Sequence, residues 1–199
     1  MEVKEFEGKN LDELIENSLN ELGITEDDAI IKSEEIKGNL LKKKNYKIKV
    51  YTLNNIQNYV KSFLAEITKL MGLEVTFESK IRDGQICVKM YSDSNSILIG
   101  KDGKTLSSLM LIVKQMLSVK YDIQPHIALD VENYKEKQEK RLIRLAKQIA
   151  REVTKTKVDV KLDNMNSYER RIIHNALTNN KYVTTTSEAE EPKRHVVIK

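Results

Sequence analysis

Ile97-Leu98-Ile99-Gly100-Lys101-Asp102-Gly103-Lys104 is the stretch on which the reading of this chain turns. Two glycines three apart separate a short apolar run from a longer helical one, Thr105 to Val119, whose Leu106, Leu109, Met110, Val113 and Leu117 share one face. A loop with bare backbone at its corners lets a polynucleotide backbone come close. The amides that open the next helix, and the ammonium groups of Lys101 and Lys104, then favour phosphate. Asp102 is expected to point away. Ile97, Ile99 and Leu106, with Val88 or Met90 from a neighbouring strand, could line a groove for unstacked bases. A plain turn between two helices would carry the same glycines, so the surroundings of the loop decide its weight.

Asn54 to Met71 has the three-and-four apolar spacing of an amphipathic helix ended by Gly72. Glu74 to Ile81 and Gln85 to Tyr91 alternate as strands around Arg82-Asp83-Gly84, a strong hairpin signal. Ser94 to Ile99 is a short helix, and Ile127 to Val131 a further strand. Helix, strand, hairpin, strand, short helix, glycine loop, helix, strand is the element order αββααβ of the bacterial-type (type II) KH domain, which residues 53–132 resemble. The resemblance implies a module that clamps about four nucleotides of a single strand, with Gly100 to Gly103 against its backbone.

Beyond Asn133 the pattern stays helical for about six turns. Leu142, Leu145, Ala146, Ile149, Ala150 and Val153 form one face, and Lys137, Lys140, Arg141, Arg144, Lys147 and Arg151 lie largely on the others. Val158, Val160 and Leu162 alternate as a strand, and Asn166 with Glu169 forms a capping box that starts a helix through Leu177. Tyr182 to Thr186 and His195 to Ile198 read as two closing strands. Arg170 and His174, four apart, share a helix face. Nearby in sequence His174 has Tyr168 and Glu169 but no plausible Ser or Cys nucleophile, and three histidines with one cysteine, Cys87, are too few for a ready metal site. Phosphate binding by Arg170 and His174 therefore stands beside a purely structural histidine.

Met165-Asn166, Tyr168-Glu169-Arg170-Arg171-Ile172-Ile173-His174 and Ala176-Leu177, followed by Thr186-Ser187-Glu188, Pro192, Arg194 and Val196-Val197-Ile198, resemble the signature of the Arg-x-x-x-His ("R-3-H") domain. That resemblance implies helices on a three-stranded sheet over residues 133–199. It also implies a single-stranded nucleic-acid surface that includes Arg170, Arg171, His174, Arg194 and, on the long helix, Lys140. One position departs: where the family usually places Gly after Ser187-Glu188, this chain has Ala189.

Towards the N-terminus, Val3 and Phe6 mark a strand. Asn10 and Asp12 open a helix with Leu11, Ile15, Leu19 and Leu22 on one stripe, closed by Gly23. Ala29 to Ile36 and the stretch from Lys47 supply two more strands around a Lys37-Gly38-Asn39 turn, so residues 1–52 read as βαββ. Charge divides the chain: residues 1–41 hold 12 Asp and Glu against 4 Lys and Arg, a net of −8, which leaves 18 acidic and 30 basic residues, a net of +12, in the rest. A basic body suits a polyanion, whereas an acidic head suits a protein partner or screens the basic part.

Three small α+β modules in this order, an acidic head at 1–52, the KH-like module at 53–132 and the R-3-H-like one at 133–199, resemble the Jag/KhpB family of bacterial RNA-binding proteins. The match in the head is weaker, because the family's Lys-Gly-x-x-Gly turn is Lys37-Gly38-Asn39-Leu40-Leu41 here. The resemblance implies an RNA chaperone or post-transcriptional regulator, a small single-KH partner protein, and a role in cell elongation, division and envelope homeostasis.

Composition is compatible. Of 199 residues 40% are hydrophobic and 32% charged, and no run approaches the roughly 18 apolar residues of a membrane helix. One cysteine precludes an internal disulfide and fits a reducing compartment, so the cytosol is expected. Neither a Walker-type phosphate loop, nor paired carboxylates at metal spacing, nor a nucleophile and base pair is present, so we expect no enzyme and no cofactor. The expected ligand is single-stranded RNA, with single-stranded DNA as a competitor, and the marginal size of the head leaves room for self-association. The alternative is an adaptor whose acidic head docks to the membrane or division machinery.

Overall fold

A computed structural model describes residues 1–36 and 45–199. In the head, the Asn10 side chain accepts the Asp12 amide at 3.1 Å and opens α1 (Leu11–Leu22), and Gly23 at φ 64° ends it. Strands β1 (Lys4–Gly8), β2 (Ala29–Ile36) and β3 (Asn45–Thr52) form an antiparallel sheet in the order β1-β3-β2. The alternation of β3 sends Ile48 and Val50 inward against Leu14, while Lys47 faces out to pair with Glu5 at 2.8 Å. That hydrogen bond lowers the Glu5 pKa and raises that of Lys47. The expected Lys37-Gly38-Asn39 turn and the Lys-Gly-x-x-Gly position lie outside the described residues.

No linker follows the head. Thr52, the last residue of β3, caps α2 (Leu53–Leu70) by accepting the Asn55 amide at 3.2 Å. Buried Leu53, Ile56, Val60 and Leu64 lie along one stripe of α2, as its three-and-four spacing requires. Strands β4 (Thr76–Arg82), β5 (Gln85–Tyr91) and β6 (Ile127–Val131) form a second sheet in the order β4-β5-β6. The β4–β5 pair is the antiparallel hairpin, and β5–β6 is parallel, joined through α3 (Asn95–Ile99) and α4 (Lys104–Tyr121). Period two puts Ile86, Val88 and Met90 inside and Cys87, Lys89 and Tyr91 outside.

The head is fastened at the C-terminal end of α4. Lys32 pairs with Asp122, and the Tyr51 hydroxyl donates to the Tyr121 carbonyl at 3.4 Å. Tyr121 stands edge-on to Tyr51 and Tyr59, with centroids 6.3 and 5.4 Å away, and Lys120 Nζ lies 5.6 Å from the Tyr59 and Tyr121 ring centroids. Met1–Glu132 accordingly make one compact unit, and Asn133–Lys199 make a second.

In the second unit α5 (Tyr134–Thr156) and α6 (Ser167–Leu177) pack with β7 (Val160–Asn164), β8 (Thr185–Glu188) and β9 (His195–Ile198), whose sheet order is β7-β9-β8. The core comprises Leu142, Ala146, Ala150 and Val153 from α5, Ile172, Ile173 and Leu177 from α6, and Val196 and Ile198 from the central strand. The strand expected at Tyr182 to Thr186 begins later. The Asn180 side chain turns the chain by accepting the Tyr182 amide at 2.9 Å, and backbone pairing starts only where Thr184 meets Lys199.

Candidate nucleic-acid interface

Gly100 has φ 71° and ψ 179°, a combination essentially open only to glycine. A Cβ there would lie 2.1 Å from Thr105 Oγ1 and 2.9 Å from the Thr105 backbone nitrogen, so space and dihedral both demand glycine. Gly100 donates to Ser96 at 2.9 Å and closes α3, the chain makes one 3-10 turn over Lys101–Gly103, and Gly103 at φ 75° leads into α4. Asp102 takes φ 53° at the tip. No side chain caps α4; its first amide, that of Lys104, donates to the Lys101 carbonyl, Gly103 is buried, and the Lys101, Asp102 and Lys104 side chains around this helix start are exposed. Positive dipole end, two cations and a corner without side chains coincide here.

The apolar wall beside the loop is narrower than expected. Ile97 is 51% exposed and Ile99 partly so, whereas Leu106, Val88 and Met90 are buried at 5%, 1% and 0%. The last three point into the core because strand alternation and the α4 stripe turn them there, and no base can reach them.

On α6 the expected capping box forms in both directions: Asn166 accepts the Glu169 amide at 3.0 Å and its own amide donates to Glu169 Oε2 at 3.0 Å. The other Glu169 oxygen accepts from Gln138 of α5 at 3.3 Å, which ties the two helices. Arg170 is buried. Its Nη1 donates to the Met165 carbonyl at 2.7 Å and to Glu191 at 2.8 Å, so this guanidinium holds the loop after β8. His174 lies between α6 and β8, with Nδ1 2.6 Å from Thr185 Oγ1 and Nε2 2.8 Å from Ser187 Oγ. Burial, reinforced by the nearby positive Arg170, lowers its pKa from the ordinary 6.5. A neutral ring between two hydroxyls that can each donate or accept is fully satisfied. Arg171, Arg194 and Lys140 are exposed, and Lys140 pairs with Glu136 at 2.5 Å. Ala189 has φ 64°, the left-handed conformation that explains a glycine preference there.

Residues 140–199 match the R-3-H domain family. A Clostridium symbiosum protein described as "RNA-binding protein KhpB" is 35% identical over 204 residues, spanning 100% of this chain and 91% of that relative. The chain belongs to the KhpB family. KhpB of Bacillus subtilis is 29% identical over 96% of this chain and 95% of its own length. KhpB of Streptococcus pneumoniae is 26% identical over 90% of this chain, which spans 58% of that longer relative.

In this chain the glycine-loop residues stand at one corner between α3 and α4, while the Arg-x-x-x-His pair comes together as part of the packing of the second unit. Sequence reasoning placed no Ser near His174 and did not link Thr185, Ser187 or Glu191 to this cluster; the fold corrects it by bringing Ser187 Oγ to 2.8 Å from His174 Nε2. These three residues are 11 to 21 residues from their partners, and only the alternation of Thr185 and Ser187 on one strand face hints at them. Among the described residues no group of three or more His, Cys, Asp or Glu side chains is placed to hold a metal, and no helix is long and apolar enough to cross a membrane.

Proposed function

We propose that this protein is a non-enzymatic RNA-binding regulator, with residues 53–132 acting as a type II KH module that clamps single-stranded RNA through Gly100, Lys101, Asp102, Gly103 and Lys104. The observation that carries this reading is the Gly100 corner, where a backbone open only to glycine meets the uncapped start of α4 between two exposed lysines. Ile97 and Ile99 supply the apolar side for bases. Arg171, Arg194 and Lys140 give the R-3-H domain its exposed cations, and Arg170 and His174 hold the frame on which they stand. Two linked sites multiply modest affinities when one strand reaches both. Few aromatics are free to stack bases, so affinity rests on backbone charge and sequence selectivity is loose. The family names of the relatives, each an RNA-binding protein, support the same ligand class. Cytoplasmic location, a small single-KH partner and a role in elongation, division and envelope homeostasis belong to the same proposal.

Fluorescence anisotropy with short single-stranded RNA across a salt series tests it. Lys101→Asp keeps both glycines and should weaken binding well beyond tenfold while circular dichroism stays unchanged. Unaltered affinity would move the site away from the glycine loop. The exposed Glu13, Glu16 and Glu21 of α1 favour the adaptor as second reading. If it holds, Lys101→Asp cells keep the wild-type phenotype, and cells with those glutamates changed to Gln do not.

A further inference from the structure

The exposed face of α5 is a cationic surface of the second unit, distinct from that unit's Arg170 and His174 cluster. At 3.6 residues per turn, Lys140, Arg141, Arg144, Lys147, Arg151 and Lys155 fall within an arc of about 120°, opposite the buried Leu142, Ala146, Ala150 and Val153. All six are exposed. Glu136, Glu139 and Glu152 lie outside the arc, and only Gln148 interrupts it. Lys140 has its partner in Glu136, but Arg141, Arg144, Lys147, Arg151 and Lys155 make no ion pair or side-chain hydrogen bond with any described residue. Like charges three and four apart destabilise a free helix, so the stripe carries a repulsion that a bound polyanion would relieve. Arg141 to Lys155 is 15 residues, about 21 Å of straight rail from first Cα to last at roughly 1.5 Å per step.

Resting on the RNA reading above, we infer that this face binds the phosphate backbone of a paired RNA segment, the glycine loop of the other unit being a site for unpaired nucleotides. No aromatic residue occurs between Lys140 and Lys155, so the stripe has nothing on which an unpaired base can stack. A duplex hides its bases and presents phosphates already ordered, whereas a flexible strand pays entropy for each nucleotide laid along a rigid rail. Its charge density is also higher, so each contact releases more counterion, about 0.9 against 0.7 per phosphate. An anionic membrane is the competing polyanion. It is disfavoured because the apolar face that would insert into lipid is buried in the domain core.

The test compares full-length wild type with the Arg144→Gln/Arg151→Gln double variant on two RNAs, a hairpin with a single-stranded tail and the tail alone. Gln is a good helix former on an exposed face, and circular dichroism checks folding. We expect the double variant to lose about tenfold or more on the tailed hairpin, with its salt slope shallower by about 2, and to bind the tail as wild type does. Lys101→Asp should weaken the tail alone. Equal loss on both RNAs, or loss on neither, overturns duplex recognition by α5. Wild-type binding to neither RNA overturns the RNA reading and this inference with it. Cosedimentation with phosphatidylserine vesicles that the double variant abolishes, with hairpin binding intact, assigns the stripe to membranes and also overturns it.

Discussion

At Gly100 a single Cβ would collide with Thr105 and force a backbone that L side chains rarely adopt. Gly100→Ala should therefore cost about 2 kcal/mol or more in urea denaturation, before any question of RNA arises. This is why Lys101 is the cleaner probe of binding. Ala189 is the converse case, a non-glycine held at φ 64°. Ala189→Gly relieves that strain against a smaller entropy penalty and should stabilise the second unit by about 0.5–1 kcal/mol, read as a raised Tm. His174 sets a pH dependence. Its native pKa lies below 6.5, so the unfolded chain binds the proton first as pH falls. Its contribution to stability is complete above about pH 6.5, declines as pH drops towards the lowered native value, and flattens beneath it. His174→Gln should remove that component from denaturation curves measured between pH 7.5 and 5. The glycines were legible in the sequence because nothing else fits their dihedrals. The neutrality of His174 was not, because it depends on two hydroxyls brought in by a strand 11 and 13 residues on.

Elements were read well where a local signal fixes an end. Asn10 and Gly23 bound α1, and Asn166 with Glu169 starts α6, because caps satisfy amides and carbonyls within a few residues. Asn166→Ala removes the side-chain half of that box and should cost about 1 kcal/mol by thermal denaturation. Glu169→Ala should cost more, since it also releases Gln138 on α5. Strand β8 was misplaced because its start is decided at long range, by which residues reach β9, and Tyr182 has the same β-prone character as the residues that do. The groove was read too wide for a related reason: apolar spacing marks Val88, Met90 and Leu106 as one-sided but does not say which side is covered.

Over the whole molecule, the contacts that fasten the head lie at the C-terminal end of α4, and the glycine loop at its N-terminal end, about 27 Å away for 18 residues. That exceeds three Debye lengths at physiological salt. Neutralising the exposed acids of α1 by Glu13→Gln, Glu16→Gln and Glu21→Gln should leave RNA affinity unchanged near 0.15 M salt and raise it only at about 0.01 M, where the screening length reaches 30 Å. The charge asymmetry was plain from composition, but the point at which the head is fastened was not, because that depends on Tyr51, Lys32 and Asp122 meeting across some 70 to 90 residues of chain.

The seam between head and α4 also has an optical side. The chain contains no tryptophan, so its ultraviolet emission comes from eight tyrosines, and three of them, Tyr51, Tyr59 and Tyr121, are stacked edge to face at this one junction beside the Lys120 ammonium. Detachment of the head would take Tyr51 out of the cluster and alter the absorption and fluorescence of a large share of the chromophores. The protein thus carries an unlabelled reporter of whether its head is seated.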